Sequence, residues 1–441
     1  MRSSHSLDRV DTAFDDDRLV ADAGLLLPAT LAHHLGLKGL VESHLDLGAA
    51  VGAANVGDKL LTLVASALAG GDCIDDARAL RAGGTERVLG FALKAASTLG
   101  TFLRSFAWGH VRQLDAVSRE LLARAWAAGA GPGAAPFTID LDSTICETYG
   151  LAKEGALHHG YTGVRGYHPL LAVAAGTGDV LMARLREGRA NTARGAAHFL
   201  TETIGRVRYA GAVGALTMRA DSGFYAHEIV AVCQRLGVRY SITVRQQRSL
   251  RRVIEAIPQD AWAPIPYWLE GGADVAETTY TPFAGEKGAK PVRLIVRRVK
   301  PTPGSQLALF ALYDYHAFIT DRDGGTLALE ADHRRHSEIE NAIRDLKYGV
   351  GLNHLPSGKF AANGAWLAVQ VIAHNLARWT ARIGLGAGIV TTRTLRRRLF
   401  GLAGRLTRSA RRVTLHLPAR WPWAIGFTAA LTRLRAIPIV A

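Results

Sequence analysis

Two hydrophobic periods divide this chain. Over residues 1–130, apolar positions recur every three to four residues, as at Leu60, Leu61, Val64 and Leu68 and again at Leu99, Phe102, Leu103 and Phe106. That is the helix period. Gly70-Gly71 and Gly83-Gly84 interrupt it, so the first segment is expected to be a small helical domain of several short helices. Gly129 to Pro136 (GAGPGAAP) reads as a linker.

Beyond it the period falls to two. Phe137, Ile139 and Leu141 alternate with Thr138, Asp140 and Asp142, the pattern of a strand with one buried face. Tyr167–Ala175 and Val180–Arg184 read as the next strands, turning at Gly176–Asp179. Thr192–Arg206 follows as a helix, Leu216–Asp221 as a strand, His227–Leu236 as a helix and Arg239–Val244 as a strand. This order predicts an α/β core.

From 251 to 315 the pattern turns β-rich, with Tyr280, Val292–Val296 and Leu307–Leu312 strand-like and Pro and Gly between them. Flanked by core elements, it is expected to be an inserted subdomain. His316–Thr320 reads as a final core strand, His333–Tyr348 as an amphipathic helix and Phe360–Ile383 as a long apolar one. The expected layout is a helical domain over 1–130, a core in two parts over 137–250 and 316–385, the insertion over 251–315 between them, and a basic helical region over 386–441.

Composition sharpens this picture. At 441 residues and 48% hydrophobic, the chain can bury a large core of about two or three folding units. Its net charge of +15 favours a polyanionic partner, either nucleic acid or an anionic membrane surface. Thr391–Ala441 alone carries eleven Arg with no Lys, Asp or Glu. Trp421, Trp423 and Phe427 lie in the same stretch, so a folded, phosphate-facing element is expected there rather than a solvated tail. Those two Trp, like Trp366 and Trp379, are expected in the core. Three scattered Cys suggest neither a disulfide framework nor a Cys-based zinc site. The charged N-terminus is unlike a cleavable signal, and no run of about 20 apolar residues occurs. A cytoplasmic, nucleoid-associated protein without a membrane span is the expectation.

The chemistry gathers at three acids. Asp142 ends the polar face of one strand and Asp221 that of another, beyond Thr217 and Arg219. Asp before a turn commonly caps a helix. Two such carboxylates at strand ends can also share hard cations such as Mg²⁺. Along the amphipathic helix, Ile339, Ile343 and Leu346 form an apolar stripe, while His333, His336, Glu340, Arg344 and Lys347 share an adjoining face. Glu340 could pair with Arg344 or join the two His in a zinc site, but no further His or Cys cluster completes such a site.

Taken in order, T-I-D-L-D-S-T (138–144), G-Y-T-G-V-R-G-Y-H-P-L (160–170), L-R-E-G (185–188), M-R-A-D-S-G-F-Y (218–225) and H-R-R-H-S-E-I-E-N-A-I-R-D-L-K (333–347) resemble the DDE transposases of bacterial insertion sequences. Within them, the chain looks most like the cut-and-paste group numbered thirteen-eighty, which has a β-rich insertion between the second Asp and the Glu. The resemblance implies an RNase H-like core, with Asp142, Asp221 and Glu340 holding two Mg²⁺ ions, for which Mn²⁺ can substitute. It implies excision and integration by phosphodiester hydrolysis and strand transfer. DNA would be bound at the element's inverted-repeat ends and at the target, by a homodimer assembled on DNA. Lys347 and Arg344 would contact phosphate, with His336 and His333 standing where the family carries Arg and Tyr. Asp140 would be an outer-shell carboxylate. Two alternatives remain: another RNase H-like metal-dependent nuclease or resolvase, and an inactive transposase-derived DNA-binding protein.

Overall fold

The computed structural model describes residues 10–301 and 313–440. Within the first segment, α1 (Val56–Ala69) is buried on nearly every side and α2 (Trp108–Ala125) buries one stripe through Leu114, Val117 and Leu121. A helix apolar all round belongs inside a protein, and these helices do not enclose a core of their own. One hydrophobic cluster runs from Leu25 through both helices into the sheet and on to Leu434. Arg206, on a helix beyond the linker, reaches back to Asp115 of α2.

The centre of the molecule is a mixed nine-stranded sheet. Its strands are β1 (Phe137–Ser143), β2 (Leu170–Ala174), β3 (Val180–Arg184), β4 (Leu216–Ala220) and β5 (Arg239–Thr243), with helices α3 (Ala196–Tyr209) and α4 (His227–Arg235) between the last three. Then come β6 (Ala263–Ile265), β7 (Ala273–Tyr280), β8 (Val292–Val299) and β9 (Asp314–Thr320). The spatial order is β6-β7-β8-β9-β5-β4-β1-β2-β3. Only β1, β4 and β5 run parallel as neighbours; the other pairings are antiparallel. Helices cross between the parallel strands, as parallel pairing demands.

Two expectations change here. The expected strand Tyr167–Ala175 is split. Arg165–Tyr167 joins a small sheet with Cys146–Glu147 and Leu157–His158, while β2 starts at Leu170 in the large one. Pro169 lies at the break, and a residue without an N–H cannot donate to a ladder. Among the described residues, the β-rich segment does not build a sheet of its own. β7 and β8, each eight residues long, pair with one another and β8 pairs with β9, so they extend the central sheet. The strand expected at Leu307–Leu312 lies outside the described residues.

The expected helix at His333 begins earlier. It starts as α5 (Thr326–Arg334), tightens into a 3₁₀ turn at Arg335–Glu338, and resumes as α6 (Ile339–Arg344) before a wider turn at Asp345–Gly349. Next, α7 (Phe360–Trp379) lies in the core with seventeen of its twenty residues buried, Trp366 and Trp379 among them. It packs against α1, α2 and β3.

The C-terminal region is only partly helical. β10 (Gly404–Ser409) and β11 (Arg412–His416) form a hairpin whose first strand also pairs with Leu19–Val20, and α8 (Ala424–Arg435) follows. Trp421 donates its indole N–H to the Arg398 carbonyl at 2.8 Å. Trp423 is 37% exposed under the Arg398 guanidinium, so it is a surface ring and not the expected core residue. Among the described residues, no helix is long and apolar enough to cross a membrane.

Candidate active site

The register of β1 against β4 sets the site. Leu141 lies beside Ala220 on parallel strands, so the next residues, Asp142 and Asp221, leave the sheet side by side where ligand sites of open α/β sheets gather. Asp142 accepts the Ser143 N–H at 2.6 Å. Asp221 caps a short 3₁₀ turn by accepting from Gly223 at 2.9 Å. Glu340, exposed on α6, comes over the same end of the sheet: the charges of Asp221 and Glu340 both act on the Asp142 carboxyl. Burial, reinforced by these like charges and offset by the Ser143 N–H and by His336, lifts Asp142 to about 6. Among the described residues, Glu340 has no ion-pair partner; the Arg344 side chain turns to Asn341, so the alternative i,i+4 pair is not made.

Asp140, on the same face of β1, is committed elsewhere. It is 1% exposed. Both of its oxygens accept from Arg219 at 2.8 Å, and His336 Nδ1 lies 3.0 Å from one of them. Arg219 also donates to the Asp332 backbone carbonyl, and Arg322 pairs with the Asp332 side chain. This buried network ties the sheet to the segment that carries Glu340. The alternation that put Asp140 and Arg219 on polar faces was legible in the sequence, but their pairing required the register.

The basic face expected on the amphipathic helix is divided. His333 points inward, with Nδ1 2.7 Å from Ser241 Oγ, Nε2 2.9 Å from Thr243 Oγ1 and its ring stacked on Phe318. Burial holds its pKa well below the ordinary 6.5. With both nitrogens occupied, His333 is half-buried against the sheet instead of standing free on a basic face. The zinc alternative loses His333, whose two nitrogens are both taken; His336 spends Nδ1 on Asp140. Lys347 donates to the Ile145 carbonyl at 2.7 Å and so braces the loop after β1. Arg344 stays at the surface.

One pair escaped the sequence reading. His168 is buried, with Nδ1 2.8 Å from the Ala190 carbonyl and Nε2 2.8 Å from Ser143 Oγ. The carbonyl requires a protonated Nδ1, so Nε2 accepts the Ser143 hydroxyl proton. Burial lowers this imidazole to about 4. The pair fixes the residue next to Asp142, and the Y-H-P landmark was its only sequence signal.

The triad offers carboxylate oxygens alone, the donor set of hard divalent cations, and a cation there would favour the ionised Asp142 that burial and the neighbouring charges disfavour. Among the described residues, the group whose ligand atoms all lie within 4.8 Å of one another is a different one, Asp72, Cys73 and Asp76. In that group an Asp76 oxygen is already taken by the backbone N–H groups of Asp72 and Cys73.

Fold and site together define a mixed α/β protein whose central parallel strands end in paired aspartates beneath a glutamate-bearing helix. The chain belongs to the family described as "Transposase DDE domain group 1", which matches it over residues 3–439. Among solved structures it is similar to one titled "Cryo-EM structure of piggyBac transposase synaptic complex with hairpin DNA (SNHP)". The identity is 13% and the TM-score 0.46, over 87% of this chain and 80% of that one. No curated protein matches the chain.

Proposed function

We propose that this chain is the DNA transposase of a bacterial insertion sequence of the thirteen-eighty group, excising the element and joining its ends to target DNA. The observation that carries the reading is the placement of Asp142 and Asp221 at adjacent ends of β1 and β4, with the Glu340 segment tied to β1 by His336 on Asp140 and to the loop after it by Lys347 on the Ile145 carbonyl. In this reading the sheet and α6 form an RNase H-like core. Residues 1–130 and 386–441 supply DNA-binding or dimerisation surfaces, and 251–315 is the insertion. The protein acts as a homodimer on inverted-repeat ends and target DNA, in the cytoplasm at the nucleoid.

Asp142 and Asp221 with Glu340 would hold two Mg²⁺ ions, or Mn²⁺ in their place. Bound there, the ions supply activation of the attacking oxygen and neutralisation of the leaving one. The protein's own part is positioning. The Asp140–Arg219–His336 network holds the Glu340 segment over the strand ends, and His168 fixes Ser143. Arg344 stays at the surface for phosphate, and Lys347 orders the loop beyond Asp142.

Glu340→Gln is the test, on linear duplex DNA carrying the sequences that border the gene. Mg²⁺-dependent strand cleavage should be lost while binding to the duplex persists; undiminished cleavage overturns the assignment. Joining of a 3′ end to a second duplex separates a transposase from a nuclease or resolvase. Cleavage by the parent chain also excludes an inactive DNA-binding relative.

A further inference from the structure

A cleft of about 720 Å³ opens along the sheet on the side of Asp140 away from Asp142. One wall is β2 and its turn, from Val173 to Gly178; the opposite wall is the Arg335–Gly349 segment; Ile389 and Arg393 stand at the rim. Ligand-sized pockets span roughly 300–1,000 Å³, so the space can hold a nucleotide.

Its charges are unevenly satisfied. Three acids line it, and all are engaged. Asp140 is held by Arg219, Glu338 by Arg335, and Asp345 by the Thr392 N–H and hydroxyl. Four Arg line it as well. Arg393 is exposed, with no hydrogen-bond or ion-pair partner among the described residues. Arg378 is 4% exposed, yet among the described residues its Nε and Nη1 have no partner, and an Asp345 oxygen lies 3.5 Å from Nη2. A buried guanidinium with donors to spare demands an explanation, and a planar fork of this kind matches phosphate. The turn is shaped around it: a Cβ on Gly178, whose φ is +73°, would come within 3.2 Å of the Arg378 guanidinium. Val173, Ala174, Ile339 and Ala342 give the cleft an apolar side.

We propose that this cleft is a nucleotide subsite, taking a phosphate between Arg378 and Arg393 and laying the attached sugar and base against the apolar wall. The chemistry recognised is the nucleotide. That it comes from a DNA strand rests on the function proposed above; a free mononucleotide is the other source.

The test uses the full chain without divalent ions, so it does not depend on the triad or on cleavage. Binding of dAMP, of deoxyadenosine and of a single-stranded hexanucleotide is measured by calorimetry for the parent, Arg393→Ala and Ile389→Trp. Both substitutions are at exposed positions, the first removing a charge and the second filling the cleft, and circular dichroism confirms their fold. Both should weaken a phosphate-bearing probe by about tenfold, the loss of one charge-assisted contact, and deoxyadenosine should bind weakly throughout. Loss with dAMP identifies a free nucleotide as sufficient; loss with the hexanucleotide alone identifies the strand. Parent-like binding of both probes by Ile389→Trp overturns the proposal, because a diffuse charge effect would weaken Arg393→Ala only. Failure of the Glu340→Gln test would leave this result standing.

Discussion

Asp140 and Arg219 are register partners on β1 and β4, and they meet as a two-pronged ion pair with both N–O distances at 2.8 Å and both residues 1% exposed. A buried pair of this kind is costly to break, because the survivor keeps its charge without a partner. Here the survivor of Arg219→Met would be Asp140 with His336 alone. The substitution should cost about 3–5 kcal/mol, read as a lower urea midpoint with the slope unchanged. Adding Asp140→Leu should recover much of the loss, since an apolar pair of similar volume is often neutral. A single substitution costing under about 1 kcal/mol would show that the network does not hold the Glu340 segment down.

His333 tests how far the family pattern can be transferred. Its ring nitrogens are spent on Ser241 and Thr243, so His333→Phe should keep the stacking on Phe318 and strand two hydroxyls. The expected loss is about 1–3 kcal/mol of stability, with DNA affinity of the folded protein unchanged. The pH dependence is signed. An imidazole whose folded pKa lies below 6.5 is neutral in the native state while the unfolded chain takes up a proton, so its contribution is lost as pH falls below 6.5. The parent should therefore lose stability on acidification more steeply than His333→Phe. A specific loss of DNA binding in the folded variant would return His333 to the DNA-facing set.

Much of the core was legible because its strands alternate cleanly. Phe137–Asp142 and Leu216–Asp221 announced a strand, a buried face and a terminal carboxylate, and the structure sets those ends together. What the sequence could not carry was register and direction. Asp140 read as an outer-shell carboxylate, and only the register shows its partner to be Arg219. His333 and His336 lie on one face of an ideal helix, but the 3₁₀ turn at Arg335–Glu338 ends that periodicity between them, sending one ring into Ser241 and Thr243 and the other to Asp140. The C-terminal Arg residues hid a hairpin because Arg408 shares a strand face with Leu406 and the ribbon is mostly exposed, so it lacks the clean apolar face that marks a strand.

Two landmark glycines have a steric reason. A Cβ on Gly188 would stand 2.0 Å from the Leu157 carbonyl oxygen and 2.2 Å from that of Gly166, and a Cβ on Gly166 would stand 2.2 Å from the Cys146 carbonyl oxygen. These are backbone contacts, so no side chain can swing away. Gly188→Ala should force the small sheet apart and destabilise the protein by more than the roughly 1 kcal/mol typical of a point substitution. Proteolysis should become faster within 146–167. An alanine variant as stable as the parent, with the same protection, would show that these strands are free to separate.

Asp142 links the fold to metal binding through pH. Its carboxyl titrates near the ordinary 3.8 when unfolded and at about 6 in the folded chain, chiefly because it is buried. Between those values the native state keeps a proton that the unfolded state has released. The stabilisation from this group is thus present below 3.8 and lost as pH rises through 6, by up to about 1.4 kcal/mol per pH unit within the window. A divalent ion acts in the opposite sense, since it binds the ionised carboxylate and competes with the proton. Mg²⁺ should therefore raise the melting temperature by several degrees at pH 8 and by little at pH 5. Asp142→Asn should abolish the Mg²⁺ shift and flatten the acid window in the metal-free protein. A Mg²⁺ shift of equal size at both pH values, or one surviving in Asp142→Asn, would take Asp142 out of the metal site.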